Sequence, residues 1–502
     1  MEYTIEKAKK ELMDLQRKLA AYNHAVELIY YDSVTTAPKN TADNRAVTLP
    51  ILSEEIYKLT TCDQSVSLLE YLDANKDKLN EKEHRMVYLM LKDIKEMRKI
   101  PVDEYVAYQE LIVNAEDVWH KAKEASDFAL FCPILEKIFE TNKKFAKYIE
   151  PDKDPYDHCL SQFEEGLNKE ILDNFFSSIR EKLVPLIKKI SEVKQVDDSI
   201  RSGYYPIDKQ EELSYYLMKT IGLDLDRVGL STTEHPFTIS LGSQKDVRIT
   251  THYFEDDFVS SMYSVVHEGG HALYDSNSAD DLAFTVLDGG TSMSIHESQS
   301  RFYENIIGRS KAFCEYIFPK LCELFPDEMK GKTAHDIYLA VNKAEPSLIR
   351  TEADELTYSL HVMIRYELEK KVMAGELAVK DLPAEWNKMY KEYLGIDVPD
   401  DKHGVLQDSH WSGGAVGYFP SYALGNAYGA QFLSKMSESI DIYDCISKGD
   451  FEAINQWNRE NIWQYGRLYT PAQILDRVLG EKFSPDYYID YLTKKVADVY
   501  GI

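Results

Sequence analysis

The sequence predicts a mainly helical, all-α protein with one small β hairpin. Two observations carry this prediction: apolar residues recur at intervals of three or four along most of the chain, and only one segment combines β-favouring residues with a tight turn. With 502 residues, 44% of them hydrophobic, the chain can bury a large core. No linker rich in Pro, Gly or Ser interrupts the pattern, so we expect one domain over residues 1–502, with two helical lobes as a possible arrangement.

Helical spacing covers the first part of the chain. In Glu6–Tyr31 the apolar residues occupy positions 8, 12, 15, 19, 22, 25 and 29. A loop over Asp32–Arg45, which contains Pro38, separates this helix from the next. The same spacing predicts helices over Glu81–Met97, Val102–Ala122, Pro133–Ile149, Glu170–Val193 and Asp208–Ile221.

The hairpin is predicted where two β-rich runs, Phe237–Leu241 and Asp246–Tyr253, flank Gly242. Helical patterns return after it. The stretch Gly404–Gly429, rich in Gly and aromatic residues, is predicted as a loop that gives way to a helix, and short helices follow from Asp441 to the end. The helices predicted between the hairpin and this stretch are Phe254–Tyr274, Thr291–Arg309, Ala334–Asn342, Ser347–Ala374 and Pro383–Leu394.

The charge balance argues against two classes of partner. The chain has 58 basic and 85 acidic residues, a formal net charge of -27, which should repel nucleic acid and anionic membrane surfaces. Met1–Glu6 has no basic run followed by an apolar one, and no apolar stretch is long enough for a bilayer, so we expect neither a secretory signal nor a membrane span. Six scattered cysteines without a CxxC pair favour a reducing compartment, with cytoplasm as the default.

The segment from His267 to His271 has the HExxH pattern. On a helix, residues i and i+4 share a face, so both imidazoles can bind one zinc ion while Glu268 faces the open side of the metal. Gly269 and Gly270 each disfavour a helix by about 1 kcal/mol. We therefore expect substrate or a neighbouring backbone to approach them too closely for a side chain. The alternative is a pair of buried histidines that only make hydrogen bonds in the core.

A catalytic zinc held by two histidines commonly takes a glutamate as its third protein ligand. Glu297 lies 26 residues after His271, in a second helical segment. This separation allows a helix, a loop and a return helix, so the carboxylate can face the two imidazoles. His296 and Glu304 are competing candidates, and Glu297 could also be an ordinary surface residue.

Six segments of the chain occur in the order known from one family of enzymes. They are His235–Phe237, Asp246–Thr250, His267–His271, His296–Gln299, Ile349–Glu355 and Gly404–Trp411. On these residues the chain resembles the carboxypeptidase Taq family of zinc metallocarboxypeptidases. The N-terminal turn Tyr31–Pro38 is also similar, although the family more often has Trp before its Asp.

The resemblance implies an enzyme that removes single amino acids from the C-terminus of peptides with broad specificity. It implies one zinc ion per chain, which cobalt can replace, and a cytoplasmic homodimer. The implied fold is almost entirely helical with a deep central groove, similar to angiotensin-converting enzyme and neurolysin. In that fold the Glu of the His-Glu-Ser-Gln segment is the third zinc ligand, which favours Glu297 over its competitors.

Several residues are expected to act in catalysis: Glu268 by the chemistry of the HExxH pattern, and His410 and Tyr418 by the resemblance. Glu268 is expected to take a proton from the attacking water and to pass it to the leaving amine. His410 and Tyr418 are expected to stabilise the oxyanion, because the segment that starts at Tyr418 resembles one that serves this purpose in angiotensin-converting enzyme. Tyr422 is the second candidate and is also expected at the substrate. With 35 tyrosines in the chain, a purely structural role is the alternative.

Three further residues are candidates for contact with the substrate. Arg350 is expected to bind the terminal carboxylate, because a guanidinium matches a carboxylate fork to fork; the alternative is an exposed ion pair with Asp354 at i+4. His235 and Arg248 belong to the hairpin region, whose edge could pair with an extended peptide. Their alternative roles are a structural turn and support for acidic neighbours. Asp408 could orient one of the zinc histidines.

Two other functions compete with a carboxypeptidase. An endopeptidase or dipeptidase would use the same metal chemistry and would differ in how the groove is closed and in whether a cation meets the terminal carboxylate. An inactive binding scaffold would be expected to lose Glu268 or a metal ligand, and this chain keeps all four residues. The preferred terminal residue and the physiological peptide are not predicted.

Overall fold

The computed structural model describes residues 4–502 and confirms the mainly helical prediction. Its described residues form α-helices and one small sheet. The α-helices are α1 Ile5–Thr35, α2 Ala42–Thr61, α3 Asp63–Ala74, α4 Glu81–Met97, α5 Val102–Ala125, α6 Phe128–Ile149, α7 Pro155–Phe163, α8 Lys169–Ser191, α9 Ile207–Thr220, α10 Phe258–Ser276, α11 Met293–Arg301, α12 Lys311–Leu324, α13 Ala334–Val341, α14 Glu355–Ala374, α15 Leu382–Leu394, α16 Pro420–Met436, α17 Ile442–Lys448, α18 Phe451–Asn461, α19 Pro471–Leu479 and α20 Asp486–Tyr500.

The sheet has three strands in the order β1-β3-β2, with β1 at Val228–Thr232, β2 at Thr238–Ser240 and β3 at Val247–Thr251. β2 and β3 are antiparallel, which confirms the predicted hairpin. β1 runs parallel to β3 and was not predicted from the sequence. It contains a glycine and is buried only at its first residue, so it lacks the alternation that marks a strand.

Two of the predicted α-helices are interrupted by other backbone conformations. In Ser347–Ala374, residues Arg350–Glu352 form a 3₁₀ turn and α14 begins only at Glu355. The cause is Asp354, whose Oδ1 accepts hydrogen bonds from the backbone N–H groups of Leu356 and Thr357 in the first turn, so it ends the extended segment and caps α14. In Thr291–Arg309, α11 ends at Arg301 and Phe302–Gly308 continue as a π-helix.

The N-terminal helices differ from the prediction mainly at their ends. α4 begins and ends at the predicted residues, whereas α1 continues to Thr35 and α2 begins at Ala42, so the loop between them is shorter than expected. No residue of α2 is buried, which explains why its sequence has no clear apolar face. The first three residues, part of the segment Met1–Glu6, lie outside the described residues.

Buried apolar side chains form one cluster that extends from Ala8 in α1 to Val499 in α20. Two of the helices in this cluster, α10 and α11, carry segments singled out in the sequence, and α11 packs against both α10 and α16. Within residues 4–502, no helix has both the length and the apolar character needed to cross a membrane.

Candidate active site

α10 brings the two histidines of the HExxH segment onto one face. Asp257 caps the helix, and the ring centroids of His267 and His271 lie 5.1 Å apart. A Cβ at Gly270 would lie 2.6 Å from the carbonyl oxygen of Gln299, so the backbone of α11 occupies the space that a side chain would need. Close approach by a neighbouring backbone, one of the two reasons predicted for these glycines, is therefore found at Gly270.

The carboxylate of Glu297 on α11 faces both histidines. Its Oε2 atom lies 3.8 Å from Nε2 of His267 and 3.6 Å from Nε2 of His271. The three side chains can each offer one atom within 4.8 Å of the others, a spacing that one metal ion can bridge. Two imidazole nitrogens and a carboxylate oxygen form the donor set of a catalytic zinc site, so these residues fit a zinc ion.

Packing and charge fix the Glu297 side chain. A Cβ at Gly425 of α16 would lie 2.6 Å from Cβ of Glu297, so α16 lies directly against this side chain. Burial opposes the charged form of Glu297, but Arg301 and the two histidines outweigh it and hold its pKa well below the usual range. Glu297 is therefore a carboxylate with its orientation set by three helices.

The two competing candidates, His296 and Glu304, lie behind the histidines and not among them. Oε2 of Glu304 is 2.8 Å from Nδ1 of His267. Nδ1 of His296 is 2.9 Å from Nδ1 of His271, and its Nε2 is 2.9 Å from Oδ1 of Asp275. Such contacts to the outer nitrogens orient metal-binding imidazoles with their Nε2 atoms towards the metal. Asp275 was missed, although its i+4 spacing from His271 on α10 is a signal that could have found it.

Asp408 has a different role from the one expected. Its Oδ1 accepts from Nε of Arg350 at 3.0 Å, and its Oδ2 accepts from Nε of Arg365 at 2.7 Å. The outer nitrogens of His267 and His271 face other groups, so the expectation that Asp408 orients a zinc histidine is wrong. The two guanidinium groups outweigh burial and hold the pKa of Asp408 well below its usual range.

Arg350 is buried, with 5% of its surface exposed. Its Nη1 donates to the hydroxyl of Tyr358 at 3.1 Å, and its Cζ lies 4.7 Å from the ring centroid of Tyr422. The exposed ion pair with Asp354 is wrong as an alternative, because Asp354 caps α14. Arg350 therefore joins Asp408 to the aromatic groups near the metal site.

A cavity of about 990 Å³ opens beside His267 and Glu268. Glu268 is mostly buried, and the Thr238 hydroxyl of β2 lies 2.6 Å from its Oε2 and 3.0 Å from its backbone oxygen. The cavity walls carry both signs of charge. The residues that line it include Arg201, Pro236, Asp257, Arg301, Glu304, Arg309, Lys343, Glu345, Glu352 and Tyr358.

His410, Tyr418 and Tyr422 come together in one aromatic cluster. Nε2 of His410 lies 3.1 Å from the Tyr422 hydroxyl, and its ring stacks on Tyr418 with centroids 5.4 Å apart. Burial and the nearby Arg350 and Arg365 lower the pKa of His410 to about 4, against the opposing effect of Asp408. The imidazole is therefore neutral near pH 7.

The loop that carries His410 and Tyr418 is anchored by Glu369 of α14. Its carboxyl group accepts from the indole N–H of Trp411 at 2.7 Å and from the backbone N–H of Gly417 at 2.9 Å. The same oxygen that binds Gly417 accepts from the Tyr156 hydroxyl at 2.8 Å. Sequence analysis missed Glu369, which lies in the middle of a helix and belongs to none of the six segments.

Neither candidate of the hairpin region, His235 or Arg248, belongs to the cluster of possible metal ligands among the described residues. His235 is exposed in the loop between β1 and β2, next to Pro236 at the cavity. Arg248 of β3 donates to Asp246 and lies 5.7 Å from the ring of Tyr31. This arrangement favours the alternative role of Arg248, support for an acidic neighbour.

Comparison with models of known protein families shows to which family this chain belongs. The model of the carboxypeptidase Taq (M32) metallopeptidases matches residues 11–496. The chain belongs to this family. The resemblance found in the sequence is thereby confirmed, and the protein is a metallocarboxypeptidase that hydrolyses C-terminal peptide bonds.

Individual relatives can be aligned with this chain over nearly its whole length. Carboxypeptidase 1 of Bacillus subtilis (strain 168) is 42% identical over 493 residues, which cover 98% of both chains. Thermostable carboxypeptidase 1 of Pyrococcus furiosus is 36% identical over 97% of this chain and 98% of its own. Among solved structures, the M32 carboxypeptidase from Deinococcus radiodurans R1 superposes with a TM-score of 0.96 at 32% identity, with 99% of this chain and 100% of that chain covered. These matches confirm the mainly helical fold.

Proposed function

We propose that this metallocarboxypeptidase uses one zinc ion, held by His267, His271 and Glu297, to release single amino acids from peptides with broad specificity. The observation that carries the proposal is the convergence of these three side chains, with partners on the outer nitrogens of both imidazoles. When bound, zinc supplies a Lewis acid that polarises the scissile carbonyl and lowers the pKa of water to about 7. Cobalt is proposed to replace it.

Glu268 is the proposed general base. Its Oε2 lies against the Thr238 hydroxyl, which leaves Oε1 to take the proton of the attacking water. Glu268 then gives this proton to the leaving amine, so that one carboxylate serves both steps. The position of Glu268 at the cavity, one residue after His267, supports this role.

The oxyanion is proposed to be stabilised by His410 together with a tyrosine hydroxyl. Nδ1 of His410 is buried without a partner among the described residues, so the tautomer that carries its proton on Nε2 leaves no buried N–H group unsatisfied. In that tautomer His410 donates to Tyr422, whose own O–H is free to donate onward. Tyr422 then acts directly on the oxyanion or through Tyr418, and the two remain competing candidates.

The substrate is proposed to lie along the outer edge of β2, with its terminal carboxylate at Arg350. Thr250 N–H donates to the carbonyl of Phe237, so in the β2–β3 register the backbone groups of Thr238 and Ser240 point away from β3. An extended peptide could pair with this edge beside Glu268. His235, at the start of the same segment, is proposed to contact the substrate, and Arg248 to support the hairpin behind it.

The whole chain is proposed to act as one catalytic domain, since a single apolar cluster joins its first helix to its last. A homodimer and a cytoplasmic location are proposed on the resemblance to the family. Peptides are the proposed partners, and the net charge of -27 disfavours nucleic acid and anionic membranes.

The test is a time course on purified protein loaded with zinc or cobalt. A mixture of peptides with free C-termini is digested, and mass spectrometry follows the masses of the products. The proposal expects successive loss of single residues from the C-terminus, and none in the metal-free protein. Internal cleavage would instead support the endopeptidase alternative, and hydrolysis of dipeptides without any cleavage of longer peptides would support the dipeptidase alternative.

A further inference from the structure

One guanidinium group, that of Arg301, touches both the proposed metal ligand Glu297 and the carboxylate behind His267. Nε of Arg301 donates to Oε1 of Glu297 at 2.7 Å, and its Nη1 donates to Oε2 of Glu304 at 3.0 Å. That oxygen of Glu304 also lies 2.8 Å from Nδ1 of His267. Arg301 is thus in contact with one ligand and with the group that orients another.

The contacts divide the two oxygens of Glu297 between different partners. Oε1 is taken by Arg301, while Oε2 lies 3.8 Å and 3.6 Å from the Nε2 atoms of the histidines. The hydroxyl of Ser300 adds a longer hydrogen bond of 3.2 Å to Oε2. One oxygen is therefore aimed at the metal position and the other is held away from it.

We propose that Arg301 is a positioning residue that keeps Glu297 a ligand through one oxygen only. This inference rests on the proposed zinc site and names a requirement of that site. A catalytic zinc needs a coordination position for water or substrate beside its three protein ligands. A carboxylate that bound through both oxygens would take that position.

The surroundings of Arg301 explain why an arginine is needed. Its Cζ lies 4.5 Å from the ring centroid of Tyr358, and the hydroxyl of the same tyrosine accepts from Arg350 at 3.1 Å. A planar guanidinium can stack on this ring while its fork reaches two carboxylates, whereas the ammonium of a lysine is a single point of charge. Tyr358 therefore contacts both Arg301, which aligns Glu297, and Arg350, which is proposed to bind the carboxylate of the substrate.

The experiment compares wild type, Arg301→Lys and Arg301→Met after all three proteins have been loaded with Co²⁺. The visible absorption of Co²⁺ becomes weaker when its coordination number rises from four to five. Both variants are expected to bind one Co²⁺ per chain, to absorb more weakly in the visible range and to lose roughly 10- to 100-fold in kcat, the range for changes behind a metal ligand. Arg85→Lys is the matched control. Arg85 forms a half-buried ion pair with Glu165 and lies outside the proposed site, so its variant should keep the wild-type spectrum and kcat.

Three results would overturn the inference. A wild-type Co²⁺ spectrum in both Arg301 variants would show that Glu297 does not need this partner, and a lower thermal midpoint with an unchanged spectrum would assign Arg301 a structural role only. If Arg301→Met does not fold, Arg301→Lys decides; if neither folds, Arg301 belongs to folding and the inference fails. Failure of the proposed function itself is seen separately, as wild-type protein that neither binds the metal nor releases amino acids.

Discussion

Replacement of Arg350 by alanine tests why this enzyme attacks the end of a peptide. In the structure Arg350 donates to Asp408 and Tyr358 and lies beside Tyr422. If it also pairs with the terminal carboxylate of the substrate, its loss should damage the hydrolysis of free acids much more than that of C-terminal amides, which carry no charge there.

The expected size of the effect follows from burial. Truncation of one partner of a buried charge pair costs about 2–5 kcal/mol, which is roughly 30- to 5,000-fold in kcat/KM on free acids. On amides the loss comes only from the contacts of Arg350 within the protein, those with Asp408, Tyr358 and Tyr422, and Arg365 still holds the Oδ2 atom of Asp408. We expect this loss on amides to be about 1.5 kcal/mol at most, or roughly tenfold. Lysine at position 350 should restore activity only in part, since it keeps the charge but not the fork.

The assay measures kcat/KM for matched acid and amide peptides with wild type, Arg350→Ala and Arg365→Lys. Arg365 is the matched control, since it is fully buried and holds the other oxygen of Asp408. Its variant should lose the same factor on both substrates. An equal loss on both substrates in Arg350→Ala would refute the carboxylate-binding role and make Arg248 the next residue to test. Wild type that cleaves amides as readily as acids would replace the carboxypeptidase function with the endopeptidase alternative.

The remaining predictions concern the metal site, the oxyanion and a buried carboxyl group. Glu268→Gln should keep its metal by elemental analysis but lose several orders of magnitude in kcat, because an amide cannot accept the proton of water; full activity in the metal-loaded variant would reject the base. Glu297→Ala should lose metal during dialysis against a mild chelator, and unchanged metal content would point to another ligand. Of Tyr418→Phe and Tyr422→Phe, the variant that removes the oxyanion donor should lower kcat more than it raises KM, while the opposite pattern would indicate substrate binding. Burial raises the pKa of Glu369 to about 7 from an ordinary 4.5, so its contribution to stability is complete below pH 4.5 and is lost as pH rises through 7. The difference in thermal midpoint between wild type and Glu369→Gln should therefore shrink over this range, and a constant difference would contradict the assignment.

Sequence periodicity predicted those helices that bury one face. α4, with six buried residues on one side and a capping box at its start, begins and ends as predicted. α2 has no buried residue and left no periodic signal in the sequence. β1 was missed because its partner β3 comes after β2 in the sequence, although β1 and β3 are neighbours in the sheet. Such non-local pairing of a half-exposed strand leaves little local pattern in the sequence.

Some residues of the candidate site could be predicted from their spacing alone, and others could not. His267, Glu268 and His271 lie within five positions of one helix, so spacing alone indicated their shared chemistry. Spacing could not choose Glu297 over His296 and Glu304, and the choice there depended on the family resemblance. The structure places both competitors against the outer nitrogens of the histidines, a distinction that depends on how α10 and α11 pack.

Two i,i+4 pairs show where a local rule holds and where it fails. Glu297 and Arg301 lie inside the continuous helix α11, so their side chains meet as the rule requires. Arg350 and Asp354 have the same spacing but lie on opposite sides of a break, where Asp354 turns its side chain to the backbone of α14. Arg350 is thereby left without its local partner and is buried against Asp408, 58 residues away, whose loop leads to His410. The capping preference of one aspartate thus decides whether this arginine is a surface ion-pair residue or a buried group next to the aromatic cluster of the active site.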